Sequence, residues 1–301
     1  MIAHERRAMA LMAAFALAWV LLEDVVGAHV QGHYPLMQVV WCRYAVHLVA
    51  MLLLFGWRDP GRLWRTRRPV FQLSRSLLML AMPLSFALSL RVGLPSDTVW
   101  GEFWFAPLCT LLIARLMMGE RVPWPVWAAT AAGWLGSAVI LRPAAELTPG
   151  TALLPLAMAL SFGVYLAMTR SLRSEVVHAN LFYTAVGVFA LLSPVMPMIW
   201  VTPNVHDALV LVCIGLVGLF ALFLLDRAAA MAPLAASTPF VYVQVLGVLT
   251  LAWVWHGHAP GRASLLAALS IAAVLGWLWW RGARERAPSA VTFTATREPA
   301  P

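Results

Sequence analysis

The sequence has 301 residues, of which 62% are hydrophobic and only 11% are charged, whereas about 25% of residues are charged in an ordinary soluble domain. The charges gather in short clusters between apolar stretches of about twenty residues, the length that spans a bilayer. A soluble domain is therefore excluded. All 21 basic residues are arginines and most of them lie between these stretches, so the formal net charge of +8 does not indicate a nucleic-acid partner.

Ten apolar segments follow one another along the chain, each bounded by arginine, proline or glycine. They are predicted as membrane spans at about 8 to 30, 36 to 57, 70 to 91, 95 to 117, 123 to 141, 150 to 170, 178 to 200, 207 to 230, 234 to 256 and 262 to 281. Sixteen arginines fall on the side of the amino terminus and three on the other. Because basic residues resist translocation, this predicts a multi-pass protein of the inner membrane with both termini cytoplasmic. Residues 282 to 301, rich in Ala, Pro, Thr and Arg, are predicted to form a disordered cytoplasmic tail.

The two halves of the chain have a similar pattern. A Gly119-Glu120 turn joins spans 4 and 5, and a His256-Gly257 turn joins spans 9 and 10 at the equivalent place. Residues 1–143 and 150–281 are therefore predicted to be two five-helix repeats. A repeat with an odd number of helices must insert in opposite orientation the second time. The predicted fold is an all-α membrane protein with ten transmembrane helices in two inverted repeats.

Several short motifs, in order and spacing, carry a family resemblance. They are Glu23-Asp24, Tyr34-Pro35, Trp41-Cys42-Arg43, Arg75, Ala106-Pro107-Leu108, Gly119-Glu120-Arg121 and Gly133-Trp134-Leu135-Gly136. With them the chain resembles the EamA family of the drug/metabolite transporter superfamily. The resemblance implies a central cavity around helices 1, 3, 4, 6, 8 and 9 that opens alternately to each side. It also implies transport of amino acids, related metabolites, nucleotide derivatives or drugs, usually as export. His29 stands where relatives often carry a lysine.

Asp24, Arg43 and Glu102 are candidates among the charged residues inside predicted spans, where an ionised group raises the insertion free energy by roughly 2.5 to 3.5 kcal/mol. At about 1.5 Å of rise per residue, Asp24, Arg43 and Glu102 all lie about 9 to 10 Å from the outer ends of their spans. Asp24 and Arg43 could form an ion pair that fixes helices 1 and 2. Alternatively, Arg43 binds a substrate carboxylate or phosphate, and Glu102 accepts an ammonium group or a proton.

Aromatic and neutral polar residues are further candidates for substrate binding. Trp100 and Trp104 share a helix face, where they either pack or stack on an aromatic or cationic substrate. Tyr165, Tyr242 and Gln244 are polar groups in apolar helices. They could bond neighbouring helices or line the cavity.

Four residues are candidates for structural or gating roles. Arg75 is predicted to reach the cytoplasmic interface along its own stem, and Pro107 is predicted to kink helix 4 as a static bend or a hinge. Glu120 could neutralise Arg121 or hold a neighbouring loop. His47 could form hydrogen bonds in the bundle or relay protons with the acids named above.

These patterns predict a secondary carrier that moves an amino acid or related polar compound across the bilayer, with export as the direction and protons as a candidate coupling ion. The alternative is a membrane scaffold without transport. The chain has no nucleotide-binding, HExxH or GxSxG motif, and its three cysteines are isolated. We therefore expect no enzyme activity, no cofactor and no metal. The sequence does not determine the oligomeric state.

Overall fold

The computed structural model describes residues 2–30, 32–56, 61–141, 149–255 and 257–284, and within them it is helical without strands. The helices are α1 (Ile2–Val20), α2 (Leu36–Met51), α3 (Gly61–Trp64), α4 (Pro69–Arg91), α5 (Ser96–Phe103), α6 (Ala106–Met118), α7 (Trp124–Leu141), α8 (Pro149–Ser171), α9 (Val177–Leu192), α10 (Met196–Ile199), α11 (Val205–Met231), α12 (Leu234–Ser237), α13 (Val243–Val254) and α14 (Arg262–Arg284).

Nine continuous helical stretches of the described residues are long and apolar enough to cross a membrane. The seventh predicted span, 178 to 200, is the exception. Its helix α9 has 16 residues and ends just before Pro194, and only the four-residue α10 follows. Proline lacks the backbone N–H that a continued helix needs. The prediction of ten full-length spans is therefore not confirmed, although nine of the ten segments are.

Among the described residues, four other spans contain segments that are not regular α-helix. The second span ends in a π-helical segment, Leu52–Gly56, and the ninth contains a 3-10 turn, Thr238–Tyr242, between α12 and α13. The helix that begins as α1 continues through a π-helical segment, Leu21–Val26, and a 3-10 turn, Gly27–His29. The fourth span divides into α5 and α6 at Trp104 and Phe105, with Pro107 at the start of α6. A proline in the first helical turn costs no hydrogen bond. The span is thus interrupted next to Pro107, and the kink and its use as a static bend or a hinge remain predictions.

Small residues allow the helices to approach closely. A Cβ atom on Gly133 of α7 would lie 2.4 Å from the Tyr242 ring, and one on Gly163 of α8 would lie 2.9 Å from Ile113. Close backbone approach of this kind stabilises helix packing in membranes, where the hydrophobic effect does not drive association. The principal neighbours are α1 with α11, α2 with α9 and α11, α4 with α8 and α9, α6 with α8, and α7 with α14.

We call the end of the bundle at which α1 begins the first face, and the other end the second face. On the first face, the Arg6 guanidinium lies 4.7 Å from the centre of the Trp279 ring near the end of α14. Residues 282–284 of the predicted tail belong to α14, which extends the last helix by three residues. The remainder of the tail, 285–301, lies outside the described residues, as do Arg142 and His256.

Candidate functional site

Arg43 forms an ion pair inside the bundle. Its Nη1 lies 3.6 Å from Oε1 of Glu23, and the side chains of Arg43 and Glu23 are 10% and 35% exposed. The prediction that Asp24 pairs with Arg43 was wrong. Both acids lie in the π-helical segment, whose geometry differs from that of the α-helix assumed from the sequence, and it is Glu23 that faces α2.

Aromatic rings surround the Arg43 guanidinium. Its central carbon lies 5.5 Å from the centre of the Trp19 ring and 5.0 Å from that of the Tyr44 ring, distances at which a cation is attracted to an aromatic face. A Cβ on Gly218 of α11 would lie 3.0 Å from Cδ of Arg43, so this glycine leaves room for the arginine stem. The pair thus offers a partly exposed carboxylate, a guanidinium and two rings in one place.

Tyr44 and His47 lie beside this pair on α2, and both are completely buried. Their rings are nearly parallel, with centroids 5.9 Å apart. Among the described residues, neither the Tyr44 hydroxyl nor either ring nitrogen of His47 has a hydrogen-bond partner. The prediction that His47 forms hydrogen bonds in the bundle was therefore wrong. We call Glu23, Arg43, Tyr44 and His47 the Arg43 cluster.

Arg75 is the centre of a second polar group, nearer the first face. Its side chain is 1% exposed and does not reach the interface, so the prediction that it snorkels was wrong. Its two terminal nitrogens donate to the side chains of Gln72, Tyr165, Thr169 and Thr184 and to the backbone carbonyl of Asn180. Tyr165 therefore bonds a neighbouring helix, one of the two roles predicted for it, and its ring centre lies 5.0 Å from the guanidinium.

Asp226 of α11 completes this network and was missed in the sequence. Its Oδ2 lies 3.8 Å from Nη1 of Arg75 and accepts a hydrogen bond of 3.1 Å from the Asn180 amide. That amide also accepts a bond of 2.6 Å from Gln72. Asp226 could have been recognised in the sequence as an acidic residue five positions before the end of an apolar helix. We call Gln72, Arg75, Asn180, Thr184 and Asp226 the Arg75 network.

Glu120 joins four parts of the chain at the first face. Its carboxylate accepts hydrogen bonds of 3.2 Å from the backbone N–H groups of Leu234 and Ala235 at the start of α12. It also lies 3.8 Å from Nε of Arg170, whose Nη1 donates to the carbonyls of Ala229 and Ala230. The prediction that Glu120 holds a neighbouring loop is confirmed, and gating remains a prediction.

The second face is held by contacts of α2 and the loop before it. The Tyr34 hydroxyl donates to Oδ2 of Asp207 at 2.6 Å, and this bond raises the pKa of Tyr34. Gln38 exchanges two hydrogen bonds with the backbone of Val201. The Trp41 indole donates to the Ser193 hydroxyl at 3.0 Å. These contacts hold α2 against the connection between α9 and α11.

The rings of the predicted aromatic stripe pack against other aromatic side chains, and substrate stacking by Trp100 and Trp104 remains a prediction. Trp104 is buried, and its backbone carbonyl accepts a bond of 3.0 Å from the Tyr242 hydroxyl, which gives Tyr242 a helix-bonding role. The Trp100 ring packs 5.4 Å from that of Phe86. Glu102 is half-buried, and its carboxylate has no hydrogen bond or ion pair with any described side chain. Gln244 is buried, and substrate contacts of Glu102 and Gln244 remain predictions.

Asp24 lies apart from Arg43, in a cavity near the second face. The cavity has a volume of about 220 Å³ and is lined by Asp24, Val25, Ala28, His29, Leu251 and Trp255. It therefore opens between the end of the first span and the end of α13. Within the described part of the chain, no group of three or more His, Cys, Asp or Glu side chains is arranged to hold a metal ion.

Comparisons with known proteins identify transporters. No family model matches the chain. The riboflavin transporter of Rhizobium johnstonii is 32% identical over 210 residues, which cover 65% of this chain and 67% of that protein. The S-adenosylmethionine uptake transporter of Rickettsia conorii is 25% identical over 263 residues, covering 85% and 89%. A solved crystal structure shares the fold, with a TM-score of 0.77 at 18% identity over 93% of this chain and 98% of that one. The named relatives are membrane transporters and not enzymes.

Proposed function

Because this chain belongs to the same family of membrane transporters as the riboflavin transporter of Rhizobium johnstonii, we propose that it is a secondary carrier for a small metabolite that contains a planar nitrogen heterocycle. Riboflavin and S-adenosylmethionine, the compounds for which the relatives are named, both contain such a ring system. The predicted substrate class, an amino acid, has no support from the relatives. S-adenosylmethionine nevertheless carries an amino-acid group, so a zwitterionic end remains part of the proposal.

The Arg43 cluster is the observation that carries this proposal. Arg43 can bind a carboxylate or phosphate in a two-pronged contact, Glu23 can bind an ammonium group, and the rings of Trp19 and Tyr44 can pack on a planar heterocycle. Charged groups within a membrane bundle are costly and commonly mark a substrate path. A π-helical turn within an α-helix is frequently found at functional sites, and Glu23 lies in such a turn.

We further propose the architecture that the family resemblance implies. The chain would be a member of the EamA family with inverted repeats at residues 1–143 and 150–281, in which the short α9 counts as the seventh helix. The first face would be cytoplasmic and the membrane would be the bacterial inner membrane. The arginine asymmetry supports this orientation. Alternating access would then expose the Arg43 cluster to each side in turn.

Transport into proteoliposomes tests the proposal directly. Purified protein is reconstituted and supplied in turn with labelled S-adenosylmethionine, riboflavin and methionine, each with and without a proton gradient, and both uptake and efflux are measured. We expect one of the two heterocyclic probes to be transported and Arg43→Ala to lower its rate at least tenfold. Arg91→Ala is the matched control, because Arg91 is exposed at the end of α4.

Each other outcome has a defined meaning. Transport of methionine alone would restore the amino-acid prediction and overturn the heterocycle proposal. Movement of none of the three probes would favour the membrane scaffold. The comparison of uptake with efflux separates export, the predicted direction, from the uptake for which the Rickettsia conorii relative is named.

A further inference from the structure

Three polar atoms at the centre of the bundle have no hydrogen-bond partner among the described residues. They are the hydroxyl oxygen of Tyr44 and the two ring nitrogens of His47, on side chains that are both completely buried. A buried polar group without a partner loses its hydration and gains nothing in return, and a bilayer offers no water to replace the loss. Such groups are rare in native proteins, and each one needs an explanation.

The surrounding packing does not explain them, because neighbouring polar groups at the same degree of burial are bonded. Thr184 lies on the same interior and is also completely buried. Its hydroxyl accepts a bond from Arg75 and donates one to the carbonyl of Asn180, each of 2.9 Å. The interior of this bundle can therefore satisfy polar side chains. Tyr44 and His47 are among the few completely buried side chains of the described residues, with Ser237 and Thr238, whose hydroxyl group or ring nitrogens it leaves without a partner.

Within the Arg43 cluster, Tyr44 and His47 lie beside the ion pair of Arg43 and Glu23. Tyr44 and His47 are three residues apart on α2, which places them on one face of the helix, and their rings are nearly parallel. The Tyr44 ring lies against the Arg43 guanidinium.

We infer that Tyr44 and His47 are substrate-contacting residues that bind the hydrogen-bonding edge of a neutral planar heterocycle in a conformation of the carrier that is open to water. A tyrosine hydroxyl donates one bond and accepts others, and a neutral imidazole has one donor and one acceptor nitrogen. Together they present the alternating donors and acceptors that match the edge of a purine or flavin ring. This inference deepens the proposed function and rests on it.

The inference adds the second span, helix α2, to the substrate cavity. The family resemblance places that cavity around the first, third, fourth, sixth, eighth and ninth spans. It also requires that the two side chains become accessible to water, because neither is exposed in the conformation described here. That requirement can be tested without knowledge of the substrate.

Accessibility is measured with a charged, membrane-impermeant thiol reagent. His47→Cys is made in a background in which Cys42, Cys109 and Cys213 are replaced by alanine, and labelling is followed in proteoliposomes. The matched control keeps Cys42 as the sole thiol, because Cys42 lies on the same helix and is packed in an apolar cluster with Leu22, Leu211 and Ile214. We expect His47→Cys to react at least tenfold faster than Cys42, and equal rates would overturn the inference.

Tyr44→Phe provides a second readout that does not depend on the fold of a cysteine variant. It removes only the unpartnered hydroxyl, and we expect it to raise the KM for the transported heterocycle about tenfold with little change in the maximal rate. Tyr183→Phe is the control, because that hydroxyl bonds the Trp64 carbonyl near the bundle surface. An unchanged KM would overturn the inference.

The failure of the inference and that of the proposed function are distinguishable. If S-adenosylmethionine or riboflavin is transported and slows the labelling of His47→Cys, both stand. If a probe is transported but leaves the labelling rate unchanged, the proposed function stands and Tyr44 and His47 are not substrate contacts. If neither probe is transported, the heterocycle proposal fails, and rapid labelling of His47→Cys still supports the opening of this site to water.

Discussion

Arg43 and Arg75 are both buried in the bundle, but their surroundings differ. Arg75 is 1% exposed and directs its two terminal nitrogens at five oxygen acceptors as well as at Asp226. Arg43 faces a carboxylate that is 35% exposed, two aromatic rings and, next to it, polar atoms of Tyr44 and His47 without partners. Most donors and acceptors of the Arg75 network therefore have partners within the protein, whereas the Arg43 cluster contains donors and acceptors without partners.

The difference separates two uses of charge within a membrane protein. A network whose donors and acceptors meet one another fixes helices in one arrangement, and removal of one partner leaves the others unpaired. A cluster with unused donors and acceptors can exchange its partners for those of a ligand. We therefore expect substitutions in the Arg75 network to act mainly on stability and substitutions in the Arg43 cluster to act mainly on transport.

The largest expected effect is that of Arg75→Met. It leaves the Asp226 carboxylate and several polar side chains buried without their partner, and we expect a loss of about 3 to 5 kcal/mol of unfolding free energy. Arg43→Met should lose much less, because Glu23 is partly exposed, yet it should lower transport at least tenfold. Unfolding by titration with SDS, beside the transport assay, measures both. Similar losses of stability in the two variants would contradict the proposed difference between the Arg75 network and the Arg43 cluster.

An intermediate effect is expected from Glu120→Gln at the first face. The neutral amide keeps an acceptor for one backbone N–H of α12 but loses the charge that faces Arg170, and a bond to a charged group contributes about 1.5 to 3 kcal/mol. Glu102→Gln is the control, since its carboxylate has no partner among the described residues, and its stability should not change. If Glu102→Gln also leaves transport and its pH dependence unaltered, a substrate or proton role for Glu102 is excluded.

The smallest effects should separate two buried hydroxyl groups. Thr184→Val removes a hydroxyl that is bonded to Arg75 and Asn180, and we expect a loss of about 1 kcal/mol. Tyr44→Phe removes a hydroxyl without a partner, so its stability should be unchanged or slightly higher. The same SDS titration measures both variants. A clear loss of stability in Tyr44→Phe would show that its hydroxyl is bonded, and the contrast between the two regions would disappear.

Hydropathy predicted most of the fold because span length and apolar composition are local properties. Nine of ten segments are long helices in the structure, and Pro107 marks the break between α5 and α6. The helical length of the seventh segment was overestimated, although Pro194 and Pro197 are present in its sequence. Proline in a membrane helix is often tolerated, so composition alone could not show where α9 ends.

The candidate site was harder to predict because its contacts join distant parts of the chain. Arg75 has the stem length to reach the interface. It is instead held inward by Asn180 and Thr184, more than a hundred residues away. Of the adjacent acids Glu23 and Asp24, only the π-helical geometry determines which one faces Arg43. Asp226 was visible beside Arg227, but its partner could not be found without the packing of α9 against both α4 and α11.

A change of chain length within the π-helical segment Leu21–Val26 would alter which side chain faces Arg43. A single π-helical turn has the geometry of an α-helix that has received one additional residue. We expect deletion of one residue here to restore a regular α-helix while the parts of the span before and after the segment keep their orientation, because the added residue is contained in the wide turn. Within the segment, however, the side chain that faces α2 would change. One codon in this segment therefore determines which acid Arg43 meets.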